Sequence, residues 1–190
     1  REEINAIGGY YAFSKELING DSVFDFDVTK LAVNTLDIGM AGIEVYDLLR
    51  DMYDIQTEFG DLGNLLAYLS IGDRPRDVER LVSALSDIRR RYGRNDRGGL
   101  MQQEYIDPEV VCSLQDAFYA PKESLPIMET AGRICSEFVM CYPPGIPILA
   151  PGEKITEQIL DYICYAKEKG CSMTGPEDAD ILKLNVLVDY

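Results

Sequence analysis

The sequence predicts an α+β protein made of two small units joined by a polar linker. Three observations carry this reading. The stretch from Pro75 to Tyr92 places Val78, Leu81, Val82, Leu85 and Ile88 at helical spacing, with Asp73 as a cap, Pro75 in the first turn and Gly93 after the last. The segments before it are short and alternate apolar with polar residues, as half-buried strands do. Arg94-Asn-Asp-Arg-Gly-Gly99 is polar and glycine-rich, which marks a connection. The boundaries read from these signals are 1–93 for the first unit, 94–105 for the linker and 106–190 for the second.

Each element follows from local pattern. Glu2 to Leu17 reads as the end of a helix interrupted at Gly8-Gly9, and Asn19-Gly20 is a turn. Val28 to Asn34 alternates as a strand, and Ala41 to Tyr53 has Ile43, Tyr46, Leu49 and Met52 at helical spacing. Ile55 to Glu58 and Asn64 to Ile71 read as short strands around Gly60-Asp-Leu-Gly63. Helices on one face of a small sheet are the arrangement this order predicts. In the second unit, Pro108 to Ala117 reads as a short helix, with a strand open at Val110-Val111, and a strand lies near Ile134 to Met140. Thr156 caps a helix running to Lys169 and ended by Gly170, with Ile159, Leu160, Ile163 and Ala166 inward. Met173 to Gly175 and Lys183 to Val188 read as closing strands.

Composition narrows the function. A net charge of -15 argues against nucleic acid, whose phosphates attract clustered Lys and Arg. The basic cluster Arg89-Arg90-Arg91, with Arg94 and Arg97, follows a helix and complements the negative end of its dipole. An acidic surface serves solubility and also concentrates cations. No apolar run approaches the roughly 20 residues of a membrane span, and there is no signal-peptide pattern. Five cysteines without a CxxC pair point to reduced thiols and a cytoplasmic location. The absence of histidine leaves only scattered cysteines and carboxylates for a metal, so no metal site is expected.

Cys141-Tyr-Pro-Pro-Gly-Ile-Pro-Ile-Leu-Ala-Pro-Gly-Glu153 holds four prolines and two glycines. Proline fixes φ and lacks an N–H, so this run is neither helix nor central strand. It reads as a stiff structural loop (Tyr142, Pro143, Pro144, Gly145, Glu153) that buries Ile146, Ile148 and Leu149. The longer string GRICSEFVMCYPPGIPILAPGE resembles the C-terminal domain of the bacterial Orn/Lys/Arg decarboxylases. These are pyridoxal-phosphate (PLP) enzymes of the aspartate-aminotransferase fold type. Ile55 to Asp73 and Phe26 to Leu49 resemble the same family, in the same order. The family often carries a bulkier residue at the position of Gly63.

The resemblance implies that the first unit is the small domain of a fold-type-I PLP enzyme and the second a small α/β C-terminal domain. It implies that the catalytic half lies outside these residues: the chain has no histidine, and none of its seven lysines has the Ser-x-His-Lys setting. The chain therefore reads as a C-terminal fragment, with PLP bound mainly by the missing N-terminal domain, no cofactor expected on the fragment alone, and a homodimer or larger homo-oligomer in the parent. For the site, the resemblance implies that Glu58 meets the distal cation of a basic amino-acid substrate, as a desolvated carboxylate can through charge-assisted hydrogen bonds. Read without it, Glu58 is a solvated carboxylate on the outward face that it shares with Gln56. Asp61 and Asn64 flank the following turn, where Asx bonding within the loop competes with substrate contact. Glu153 sits where it can face the dipole of the Thr156 helix. A purely structural or oligomerisation module, or the C-terminal part of another PLP enzyme such as an aminotransferase, are the alternatives.

Overall fold

The computed structural model describes residues 1–94, 106–142 and 144–188. The chain forms two compact units, Arg1–Gln103 and Glu104–Tyr190. The linker expected over 94–105 lies, from residue 95 on, outside the described residues.

In the first unit the order is α1 (Glu2–Ile7), β1 (Tyr11–Ala12), β2 (Lys30–Asn34), α2 (Gly42–Tyr53), β3 (Phe59–Gly60), β4 (Asn64–Tyr68) and α3 (Pro75–Tyr92). The strands form an antiparallel sheet in the order β1-β2-β4-β3. All three helices cover one face. Ile4, Val45, Leu49, Ala84, Leu85 and Ile88 pack on Leu31, Val33, Leu65 and Ala67, the inward-pointing residues of β2 and β4. On the other face the register sets Lys30 opposite Tyr68, with the ammonium 4.0 Å from the ring centre, and Asn34 opposite Asn64. Polar ties join the helices: Tyr53 Oη donates to Asp87 Oδ2 at 2.8 Å, and Tyr10 Oη donates to Leu85 O at 3.0 Å. Burial pushes the Tyr10 hydroxyl above its ordinary range.

Three expectations change here. The first helix stops at Ile7 rather than Leu17, because Gly8 and Gly9 both take φ 82° and turn the chain back to pair Tyr11 and Ala12 with β2. Ile55 to Glu58 is extended but forms no ladder; pairing with β4 begins at Phe59. The α3 N-cap is Arg74, whose N–H donates to Asp77 Oδ2 at 3.0 Å, while Asp73 Oδ2 accepts from Ser70 N–H at 2.6 Å. Val78, in the first turn of α3, is exposed.

The second unit contains α4 (Leu114–Tyr119), β5 (Lys122–Pro126), β6 (Val139–Tyr142), β7 (Ile146–Leu149), α5 (Glu157–Glu168), β8 (Ser172–Thr174) and β9 (Lys183–Leu187). β5 pairs with β9, and β7-β6-β8 forms a second sheet. The helix after Thr156 is as expected: the Thr156 hydroxyl accepts from Ile159 N–H, and Ile159, Leu160, Ile163 and Ala166 are buried with Val139, Leu149, Ile155 and Val186. The expected helix over 108–117 instead starts at Leu114, capped by Ser113, and Val110 bridges to Glu153. The strand near Ile134 begins only at Val139, because residues 134–136 serve two neighbours. Cys135 N–H donates to Glu153 O and Ser136 N–H to Asn185 O, at 2.9 and 3.0 Å.

The proline run is a hairpin rather than a loop. Tyr142 ends β6, Gly145 turns at φ 90°, and Ile146 to Leu149 is an edge strand. An edge tolerates Pro147 because its missing N–H would face away from the ladder. Leu149 is fully buried and Ile148 half-buried, whereas Ile146 is 66% exposed. Pro143 lies outside the described residues, and Pro144 is exposed in the turn.

α2 meets the β3–β4 turn backbone to backbone. A Cβ on Gly42 would collide with the carbonyl of Asn64, and one on Gly60 with that of Gly42. Gly63, in the same turn, has ordinary van der Waals room, its nearest atom 3.6 Å away. Gly42→Ala is therefore expected to destabilise the first unit by roughly 3 kcal/mol. Gly63→Ala should stay within about 1 kcal/mol, with chemical denaturation of the two variants as the measurement.

Candidate functional site

The region predicted to carry the site is the segment from Asp54 to Asn64. Asp54 closes α2 at φ 52°, and Ile55 N–H donates to Leu49 O at 2.9 Å, so the chain leaves the helix in a fixed direction. The extended segment then alternates. Ile55 is half-buried and Thr57 buried, while Gln56 and Glu58 face outward. Gln56 Nε2 donates to Tyr46 Oη at 2.8 Å and to Thr57 O at 3.0 Å, which ties the segment to α2. Tyr46 in turn carries the Arg50 guanidinium 5.5 Å from its ring centre, and Arg50 pairs with Asp47 and Asp51. Glu58 is anchored through its backbone, its N–H donating to Leu66 O at 2.9 Å, and its carboxylate stands in solvent within this chain.

Asp61 and Asn64 are turned into their own loop. Asp61 Oδ1 accepts from Gly63 N–H at 2.8 Å and Asn64 N–H at 2.6 Å, an Asx turn. Asn64 Oδ1 accepts from Asn34 Nδ2 at 3.1 Å, and Asp61 O accepts from Ile43 N–H at 2.8 Å. Their polar atoms hold the turn on α2 and β2, and Glu58 lies on the other side of β3.

In the second unit Glu153 does not serve the α5 dipole. Its Oε2 accepts from Ala150 N–H at 2.7 Å and closes the turn after β7, while Thr156 and Glu157 occupy the first turn of α5. Tyr142 is exposed, with its ring beside the Gly145 turn. The sequence reading missed Glu137, a carboxylate only 9% exposed. Its Oε1 accepts from Asn185 N–H at 2.8 Å, and its Oε2 from Asn185 Nδ2 and Glu177 N–H, both at 3.0 Å. The sequence signal was a lone acid inside the apolar run Ile134 to Met140. Beside it, Cys135 Sγ lies 3.0 Å from Glu137 O, and burial pushes its thiol up to about 12, so this cysteine stays protonated.

All seven lysines are described and none is buried. Four of them make surface contacts: Lys30 lies over Tyr68, Lys154 pairs with Glu109, Lys167 donates to Asp180 O and Lys169 lies over Tyr165. Among the described residues no group of three or more metal-ligating side chains converges, and no helix is long and apolar enough to cross a membrane.

Residues 101–178 match the family model of the Orn/Lys/Arg decarboxylase C-terminal domain. The chain is 38% identical over its whole length to an arginine decarboxylase of Halalkalibacterium halodurans, and 37% identical over 98% of its length to one of Bacillus subtilis. It spans 39% of the length of each. Its fold resembles a lysine decarboxylase of Francisella novicida (TM-score 0.63, 19% identity, 93% of this chain and 36% of that one). It also resembles the constitutive lysine decarboxylase of Escherichia coli (TM-score 0.59, 17% identity, 94% and 35%). The second unit thus carries the C-terminal domain of a known decarboxylase family. The chain belongs to the Orn/Lys/Arg decarboxylases and corresponds to their C-terminal part.

Glu137→Gln keeps the side-chain shape but turns an amide N–H₂ toward groups that all donate. The expected loss of stability is about 2–3 kcal/mol, measured by thermal or chemical denaturation, whereas Glu129→Gln, an exposed acid, should change little.

Proposed function

We propose that this chain is the C-terminal part of a PLP-dependent decarboxylase of a basic amino acid, giving a diamine or agmatine. The similarity to arginine decarboxylases over the whole chain carries this reading. The lysine decarboxylases align over 40% and 74% of it, which favours arginine as the first substrate to test. On this reading the first unit is the small domain of the fold-type-I architecture. The remainder of the enzyme supplies the cofactor, which acts as the electron sink for loss of CO₂.

The part played by this chain is recognition. Glu58 projects from a segment fixed at both ends, by the α2 cap at Asp54 and by the Gly42–Gly60 contact. A carboxylate held this way and desolvated when the complete pocket closes would accept two charge-assisted hydrogen bonds from a guanidinium. The engagement of Asp61 and Asn64 in their own turn supports a positioning role for them rather than substrate contact. The same reading carries a cytoplasmic enzyme of polyamine biosynthesis that works as a homodimer or larger homo-oligomer. A second, purely structural reading is favoured by one observation, the exposure of Glu58 in this chain.

The two readings separate in the complete enzyme. Glu58→Gln should lower kcat/KM for the basic amino acid by about 10- to 150-fold, the equivalent of roughly 1.5–3 kcal/mol, with PLP absorbance unchanged. Wild-type turnover by that variant would establish the structural reading. The chain by itself is expected to release no CO₂ from arginine, lysine or ornithine.

A further inference from the structure

We propose that the bare half of α3 is a docking groove for the stretch of the full-length chain that precedes Arg1, seated there as a backward continuation of α1. The apolar row of α3 changes burial along its length. Leu85 and Ile88 are fully buried, Leu81 and Val82 are half-buried, and Val78 is 40% exposed. The buried part lies against α1 and the turn after it. Ile4 shares a core cluster with Ala84, Leu85 and Ile88, Tyr10 Oη donates to Leu85 O at 3.0 Å, and Gly9 approaches Arg89. Chain running forward from Ile4 to Tyr10 thus advances toward the C-terminal end of α3. Chain running backward reaches Arg1, beside Val78 and Val82, and there α1 stops. Two clefts of about 270 and 660 Å³ open at this point and share Arg1, Val78 and Val82. Ile4, Leu31, Ile55 and Leu81 wall the first of them.

Continuity with the α1–α3 contact selects the occupant. α3 spans 18 residues, about 27 Å, and α1 only 6, about 9 Å. Two further turns on α1, about 10 Å, bring it level with Pro75 at the start of α3. The start of α1 is also chemically open. No side chain caps it, and the Arg1 guanidinium is committed to the carbonyls of Phe13, Val28 and Lys30. The amides of Glu2, Glu3 and Ile4 are the donors that a first helical turn leaves open, and in a continued helix the carbonyls one turn back accept from them. The chain spans 39% of the arginine decarboxylases it matches, and its residues 101–178 match a C-terminal domain, so on the proposed reading the remaining length lies ahead of Arg1. A helix with apolar side chains one and two turns ahead of Ile4 covers Val78 and closes both clefts. A second copy of this chain fits less well: Glu2, Glu3, Glu16 and Glu79 border the larger cleft, and each copy carries a net charge of -15.

The test compares Val78→Cys in the full-length protein and in the 190-residue chain, with maleimide labelling of that cysteine read by peptide mass spectrometry. Labelling is expected to be about 10-fold slower or more in the full-length protein. The amides of Glu2, Glu3 and Ile4 should exchange more slowly there as well. A photo-crosslinking residue placed at position 78 of the full-length protein should link to the peptide directly ahead of Arg1. Val78→Asp should lower the Tm of the full-length protein by about 2 °C or more. In the 190-residue chain it should not, because the side chain is exposed and an acid in the first turn suits the helix dipole. Equal labelling in the two proteins, fast exchange of the Glu2–Ile4 amides in the full-length protein, or a crosslink to another segment or to a second copy would each overturn the groove. Those outcomes leave the decarboxylase reading standing, since it is judged by turnover. A mature protein that begins at Arg1 would overturn the groove and the longer enzyme together.

Discussion

The first turn of α2 lies directly on the β3–β4 turn, with Gly42, Gly60 and Asn64 meeting through their backbones and Ile43 N–H donating to Asp61 O at 2.8 Å. No side chain separates helix from sheet at this point. The contact sets the depth at which α2 sits, and so brings Val45 and Leu49 onto Leu65 and Val33 in the core. It also fixes both ends of the outward segment: α2 ends at Asp54, the sheet begins at Phe59, and Gln56 and Glu58 can only project between them. Asp61 and Asn64 reinforce the junction by satisfying the N–H groups that a tight turn leaves open. A side chain at Gly42 or Gly60 would lift the helix and disturb core and surface segment together.

The second unit solves a similar problem with a buried charge. Residues 134–136 run between β9 and the turn at 152–154 and exchange backbone hydrogen bonds with both. The chain then enters β6 beside the middle of β9, where Asn185 and Glu177 would otherwise present unmatched N–H groups. Glu137 accepts all three hydrogen bonds. A buried carboxylate is tolerated when its lone pairs are filled in this way, and the arrangement is sensitive to loss of any member.

The helices with strong periodicity and chemical stops were legible: α3 with Pro75 and Gly93, α5 with Thr156 and Gly170. β5 was not, because Lys-Glu-Ser-Leu-Pro has neither alternation nor β-branched residues and is held by pairing with β9 some 60 positions on. From sequence the proline run reads as a loop because proline excludes a central strand; an edge strand is the remaining alternative, and only sheet order distinguishes the two. The alternation that put Ile55 and Thr57 inward and Glu58 outward was legible without a ladder, since extended backbone alone produces it. Glu137 was illegible because its partners are 40 and 48 residues away and its local run looks like an ordinary strand.

On the proposed reading the chain presents Glu58 on a segment fixed at both ends, and it spans 39% of the length of the arginine decarboxylases it matches. The central claim is that the α2–β3 junction aims this carboxylate at the substrate's distal cation. The most direct measurement is a structure of the complete enzyme with a bound basic amino acid or a non-reacting analogue. The account predicts a distal nitrogen about 2.7–3.0 Å from the Glu58 carboxylate, with the backbone of 54–64 unchanged. Glu58 facing bulk water while another residue holds the distal cation would contradict it.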